Sequence, residues 1–410
     1  MKFKGLKILY IVLIFALAFT AFNSCNDPVF YRISEEIPLV PPLIRGSPSN
    51  FALFEDPHGS TNYYTYVATG RNLFRFRENY WAEMTGNMAL PNHITGVIQL
   101  AATDDYLYAL CFRETSTAII RELWRYDGTN WTQITGTIAP YTEMQTIFSA
   151  NNRLFIGAHR NGTVPDPDNH NRPVLYHAIL YVNNNNIELT NITEIRSLLR
   201  GAAFDGTNIF LCTGSNIFVR NSSGGGSNSD ISGDISNFQG IIALPDDTVV
   251  AITLDGRLFE VDSTGIVSAP TGTGNAPWPI TSFGDGRSAT GALAIWQDDP
   301  DPNTPTTEYR LLVGRRDIRA TTMSGHTFGY VELELSNTGG IAAGENSFET
   351  PDVHAFSNTI GAIIVNHLFQ PPCGSRILAS TQRRGVWSYR HRAGDSHRVW
   401  NAETNDPNTP

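Results

Sequence analysis

The chain has 410 residues, with 29 Lys and Arg against 39 Asp and Glu and a formal net charge of −10. No run of lysines or arginines follows the N-terminal head, which excludes a nucleic-acid partner, because that binding rests on a basic footprint. The length suffices for one large all-β domain or two ordinary ones. No two of the four cysteines have CxxC spacing, which excludes a redox or zinc pair of that type.

Lys2, Lys4 and Lys7 form a basic head before the apolar run ILYIVLIFALAFTAF, and Phe22-Asn23-Ser24 then leads straight to Cys25. The run is short for a permanent span, so the segment reads as an export signal rather than an anchor. Its ending resembles the lipobox of bacterial lipoproteins, whose Cys is acylated and becomes residue one of the mature chain. Phe22-Asn23-Ser24 departs from the usual Leu-Ala-Gly type. The resemblance implies a lipoprotein signal peptide over residues 1–24, a lipid on Cys25 as the only membrane attachment, and a place on a bacterial cell envelope, at the outer membrane or cell surface. A plain secreted protein cut near Cys25 is the alternative. Residues 25–48 carry Pro28, Pro38, Pro41, Pro42 and Pro48 and read as an extended tether. With Cys25 acylated, Cys111, Cys212 and Cys373 remain, an odd number. Cys111 and Cys212 lie in apolar strand-like runs and read as buried free thiols, and Cys373 lies in a turn.

From residue 49 the chain is rich in short alternating strands between turn signals, which argues an all-β fold. Internal repetition sharpens this. ENYWAEMTG and GTNWTQITG align at a shift of 50 residues, Trp81 on Trp131 and Gly86 on Gly136. The same shift brings LFRF at Leu73 onto LWRY at Leu123. An apolar–aromatic pair recurs as Leu73-Phe74, Leu123-Trp124, Leu180-Tyr181, Ile217-Phe218, Leu258-Phe259 and Val386-Trp387, with YVELEL around Val331 as a weaker member. Each follows an apolar strand such as YTYVAT, YLYALC or NIFLCT, and before that strand comes another. Five of these first strands carry a glycine in matching places: Gly96, Gly201, Gly240, Gly291 and Gly361. FALFED and TIFSANN complete the series without it.

Repeats of about 50 residues with three or four strands each predict a β-propeller, here seven-bladed, over residues 49–402, with residues 403–410 as a disordered tail. The glycines suit first strands crowded around the axis. The aromatic column suits the faces pressed together between blades. A pair of β-sandwiches is the competing fold. LWRYDGTNW at Leu123 and VATGRNLFRF at Val67 resemble the short repeats of propellers in two-component sensors and related bacterial surface proteins. That resemblance implies the fold and says nothing of a substrate. WD40 and kelch signatures are absent.

No motif carries chemistry. Asp298, Asp299, Asp301 and Asn303 form one acidic insertion and Asp166, Asp168 and Asn169 another, both flanked by prolines and read as solvated loops rather than Ca²⁺ sites. His159, His170, His177, His391 and His397 have no zinc spacing. No nucleophile elbow, phosphate loop or sialidase box occurs. No metal and no cofactor is expected. Geometry then supplies the candidate site. Residues just before the first-strand glycines should ring the channel mouth: Thr95, Arg200, Gln239, Thr290 and, from the last copy, Ile360, with Arg200 the one cation. Two functions stay open. One is a non-catalytic binding or protein-interaction module with an unknown protein or glycan partner. The other is a glycan-active or other hydrolytic propeller, which needs convergent carboxylates at the mouth.

Overall fold

The computed structural model describes residues 42–55, 63–77, 80–135, 141–160, 164–165, 173–174, 177–183, 186–195, 197–222, 229–266, 283, 287–298, 308–317, 329–341, 364–372, 376–391 and 398–403. Cys25, Cys373, Ile360, Gly361, His170, His397 and most of both acidic insertions lie outside these residues.

Among the described residues the chain builds antiparallel sheets one after another. The first holds β1 (Ala52–Glu55), β2 (Tyr63–Thr69), β3 (Asn72–Arg77) and β4 (Tyr80–Glu83) in that order. The second repeats the pattern with β5 (Gly96–Ala102), β6 (Leu107–Glu114), β7 (Ile119–Tyr126) and β8 (Trp131–Ile134). The third contains β9 (Tyr141–Ala150) and β10 (Arg153–Arg160), then the small separate hairpin β11 (Val164–Pro165) and β12 (Pro173–Val174), then β13 (His177–Asn183) and β14 (Asn186–Ile195). The fourth is β15 (Leu199–Phe204), β16 (Asn208–Thr213), β17 (Ile217–Asn221) and β18 (Ser229–Asp230). The fifth is β19 (Phe238–Ala243), β20 (Val249–Thr253), β21 (Leu258–Asp262) and β22 (Gly265–Ile266). The sixth has β23 (Arg287–Asp298), β24 (Glu308–Asp317) and β25 (Tyr330–Glu334). The last is β26 (Val365–Phe369), β27 (Ile377–Thr381), β28 (Gly385–His391) and β29 (Arg398–Ala402).

Local chemistry explains the turns. Asn151 and Asn152 both take positive φ, 47° and 54°, between β9 and β10, the conformation a tight twisted hairpin demands and asparagine tolerates. Asp127, Asp205 and Asp262 each turn a carboxylate oxygen back onto two backbone N–H groups just ahead, closing the loops that follow them. Thr213, Thr253 and Thr381 end the second strands of three sheets. Thr213 and Thr381 donate their hydroxyls to the carbonyls across the turn, on Asn216 and Gly385, and Thr253 donates to the Asp255 carboxylate within its turn.

First strands of successive sheets lie against one another, from β1 to β5, β9, β15, β19, β23 and β26. The core is divided among the gaps between sheets. One cluster joins Leu73 to Cys111 and Trp124, the next Leu110 to Ile147 and Ile156, the next Phe155 to Leu211 and Phe218. The series continues with Phe210 and Val249, with Val250 and Leu311, and with Leu312 and Trp387. A further cluster sets Val67, Phe74 and Trp81 of the first sheet against Leu378 and Val386 of the last. Meander sheets stacked face to face through first strands are β-propeller architecture. Of the predicted aromatic column, Phe74, Trp124, Phe218 and Trp387 lie in these clusters, with Trp124 8% and Trp387 4% exposed, and the Tyr181 side chain lies outside the described residues.

The contact between first and last sheets uses the segment before β1. Ile44, 0% exposed, sits in their shared cluster, and its carbonyl accepts the Val386 N–H at 3.1 Å. Leu43 N donates to Glu403 O at 2.8 Å, and Gly385 N to Gly46 O at 2.9 Å. Glu403, 1% exposed, takes a hydrogen bond from Trp81 Nε1 at 2.7 Å and an ion pair from Arg376 at 3.3 Å. Residues 42–48, expected in the tether, and Glu403, expected in the tail, thus belong to the packed unit. Ile44 is removed from water there, and the Glu403 carboxylate keeps two donors inside the packed unit.

Candidate functional site

Each first strand except β1 carries a bulge near its start. The ladder of β15 runs from Leu199 opposite Thr213 to Gly201 opposite Cys212, leaving Arg200 as the extra residue. In β19 the extra residue is Gln239, between Phe238 and Gly240. In β23 Thr290, Gly291 and Ala292 face a single position on β24. The same irregularity falls at Ile98 in β5, at Gln145 and again at Thr142 in β9, and at Asn366 in β26. Bulges break the pairing and re-aim a side chain, and they recur next to binding and active sites.

The predicted residues separate on this register. Arg200, Gln239 and Thr290 sit at the bulges of three successive first strands. Thr95 precedes β5 by one residue, and the bulge of its sheet is three residues further on, at Ile98. Thr95 is exposed and fixes the strand's start: its N–H reaches Phe112 O at 2.9 Å, and its hydroxyl accepts from Glu114 N at 3.0 Å.

The glycines divide in the same way. A Cβ on Gly201 would meet Ile241 at 3.0 Å, and one on Gly240 would meet Gly291 O at 3.0 Å. At Gly291, φ is +84° and a Cβ would lie 2.6 Å from Gln239 O. These three glycines therefore let neighbouring first strands approach backbone to backbone. Gly96 instead faces the Phe112 ring on its own second strand, at 2.6 Å.

Where glycine is absent, side chains clip the first strands together. The Asn50 amide accepts from Leu100 N and donates to Leu100 O, both at 2.7 Å. Gln370 does the same to Gln297 N and O, at 2.7 and 2.8 Å. Gln99 accepts from Ile147 N, and Thr146 donates to Leu199 O. His367 Nδ1 accepts the Phe51 N–H at 3.3 Å, a role that needs the neutral ring, and burial lowers its pKa to about 4.

At the bulges the polar groups are less committed. Arg200 and Asn366 are exposed and Gln239 is half-buried, and none has a hydrogen-bond or ion-pair partner among the described residues. Gln145 donates to Glu143 at 3.0 Å. The same end of the molecule carries a raised rim, because β6 and β7 continue pairing past the bulge to Glu114 and Ile119. In the fourth, fifth and last sheets the chain has already turned at that level. Ile119, 62% exposed, and Ile120, 38% exposed, stand on this hairpin.

The buried carboxylates are occupied. Glu122 is held by Arg113 at 2.9 Å, Trp124 Nε1 at 3.1 Å and His93 at 3.2 Å. Burial alone would raise its pKa, but these three donors outweigh it and hold it low. Glu332 pairs with Arg310 at 2.9 Å and Glu403 with Arg376. Cys111 and Cys212 are buried free thiols, their pKa values pushed up by burial. Among the described residues no group of three His, Cys, Asp or Glu could hold a metal ion.

No protein-family model and no curated protein matches the chain. Solved structures similar to it include YCF48 bound to D1 peptide, at 10% identity and TM-score 0.46 over 87% of this chain and 97% of that one. Another is the extracellular domain of a protein described as a hybrid two-component system, from B. thetaiotaomicron, at 10% identity and TM-score 0.46 over 82% of this chain and 39% of that one. A third is virginiamycin B lyase from Staphylococcus aureus, at 12% identity and TM-score 0.46 over 84% and 96%.

Proposed function

We propose that this chain is a non-catalytic binding module: a closed, seven-bladed propeller carried on a bacterial envelope by a lipid on Cys25. Its binding site is the mouth where the first strands begin, around Arg200, Gln239 and Thr290, with Thr95 on the rim. The observation behind this reading is the bulge repeated at the start of successive first strands, which offers Arg200, Gln239 and Asn366 with no hydrogen-bond or ion-pair partner among the described residues. A binding surface needs convergent polar groups and no acid–base pair. The tether reading rests on the basic head and apolar run ending at Cys25.

Peptide and glycan arrays probed with the full chain test the site. Saturable binding that falls about tenfold or more in the Arg200→Gln, Gln239→Ala double variant is the expected result. Cleaved products in the supernatant, detected by mass spectrometry, would overturn the non-catalytic reading. For the anchor, Cys25→Ala should abolish fatty-acid labelling and release the protein from membranes. Unchanged detergent partitioning of that variant would overturn lipidation.

A further inference from the structure

We infer that the mouth takes an extended peptide bearing a carboxylate, an inference that rests on the binding-module reading above. The fold itself displays the chemistry. Asn50 and Gln370 each grip the backbone N–H and C=O of a neighbouring strand through one side-chain amide, with all four hydrogen bonds at 2.7–2.8 Å. A primary amide offers a donor and an acceptor side by side, which matches an extended peptide backbone. At the bulges, Gln239 and Asn366 present the same group with no partner among the described residues. Both stand on first strands, as do Gln370's partner Gln297 in β23 and Asn50's partner Leu100 in β5.

Arg200 supplies the charge. It is exposed, has no ion-pair partner among the described residues, and is the one cation among the bulged residues. A guanidinium binds a carboxylate through two parallel hydrogen bonds, which fixes orientation as well as charge. The chain's formal charge of −10 opposes an acidic ligand at long range. Salt screens that repulsion beyond about 8 Å, leaving the local cation to decide the contact. Among the described first strands no bulged residue is aromatic, so these positions offer a sugar ring no flat platform.

The test is selection of a random dodecapeptide library on the full chain, run beside an oligogalacturonate as the acidic sugar. The expected result is a set of peptides enriched in Asp and Glu, whose binding weakens about tenfold or more in Arg200→Gln and less in Gln239→Ala. Both variants alter side chains outside the buried core, so unchanged melting confirms folding. Selected peptides without acidic bias, or with the same affinity for Arg200→Gln, would overturn the carboxylate inference while leaving the binding module standing. Capture of the oligogalacturonate in place of peptides would do the same. Capture of neither overturns both.

Discussion

Removing the Glu403 carboxylate should loosen the joint between the first and last sheets, and its cost follows from the geometry. Glu403 is 1% exposed and Arg376 11% exposed, and the carboxylate joins that guanidinium to Trp81 Nε1, which lies 322 residues away in sequence. Glu403→Ala takes the acceptor from both donors, and breaking one side of a buried pair costs about 3–5 kcal/mol. Glu403→Gln keeps an oxygen for the indole but removes the charge facing Arg376, so about 1–3 kcal/mol is expected. Trp81→Phe keeps the ring and deletes the N–H, and a double-mutant cycle with Glu403→Gln should show coupling of about 0.5–3 kcal/mol. Urea denaturation of the full chain, read at constant slope, gives these values. Opening the joint would also expose unpaired strand edges, so the alanine variant should self-associate on size-exclusion chromatography. A Glu403→Ala variant within about 0.5 kcal/mol of the parent, and still monodisperse, would refute the reasoning.

Trp124→Ala and Trp387→Ala should each cost about 3–5 kcal/mol in urea, since each indole fills a gap between sheets; a loss under about 1 kcal/mol would mean that the gap collapses around the deletion. Gly291→Ala should lower the melting temperature, because its φ is +84° and the new Cβ would lie 2.6 Å from Gln239 O; an unchanged melt would show that the strands can move apart. His367 titrates from its ordinary 6.5 in the unfolded chain and from about 4 when folded. Between those values the unfolded chain holds the extra proton, so stability falls as pH drops from about 6.5 to 4 and this contribution levels off below. The difference in stability between the parent and His367→Gln should shrink over that window, and a pH-independent difference would refute the assignment.

Much of the fold was legible because its signals are local. The 50-residue offset of Trp81 and Trp131 reports two strands of one repeat, and in the structure each indole lies against an aromatic of its own third strand, Phe76 and Tyr126. Gly201, Gly240 and Gly291 were readable as points of close approach because only glycine allows it. Bulges are different: an inserted residue changes pairing without changing composition. Aligning on glycine therefore placed Thr95 beside Arg200, although the ladder sets Ile98 there, and it passed over Gln145 and Asn366, whose first strands carry no glycine. The last first strand, β26, starts at Val365, later than the glycine at 361 suggested. Ile44 was hidden by the prolines around it, and Glu403 by the polar residues that follow. Their partners lie at the other end of the chain, where no local pattern points.

Site-specific photo-crosslinking in intact cells tests the central claim most directly. A photoreactive residue at Gln239, on the bulge of β19, is compared with one at Thr264, an exposed turn at the opposite end of the same sheet. The account predicts a discrete adduct from position 239 that disappears in the Arg200→Gln background, and none from position 264. Adducts from position 264 alone, or equally from both, would contradict a binding site at the mouth.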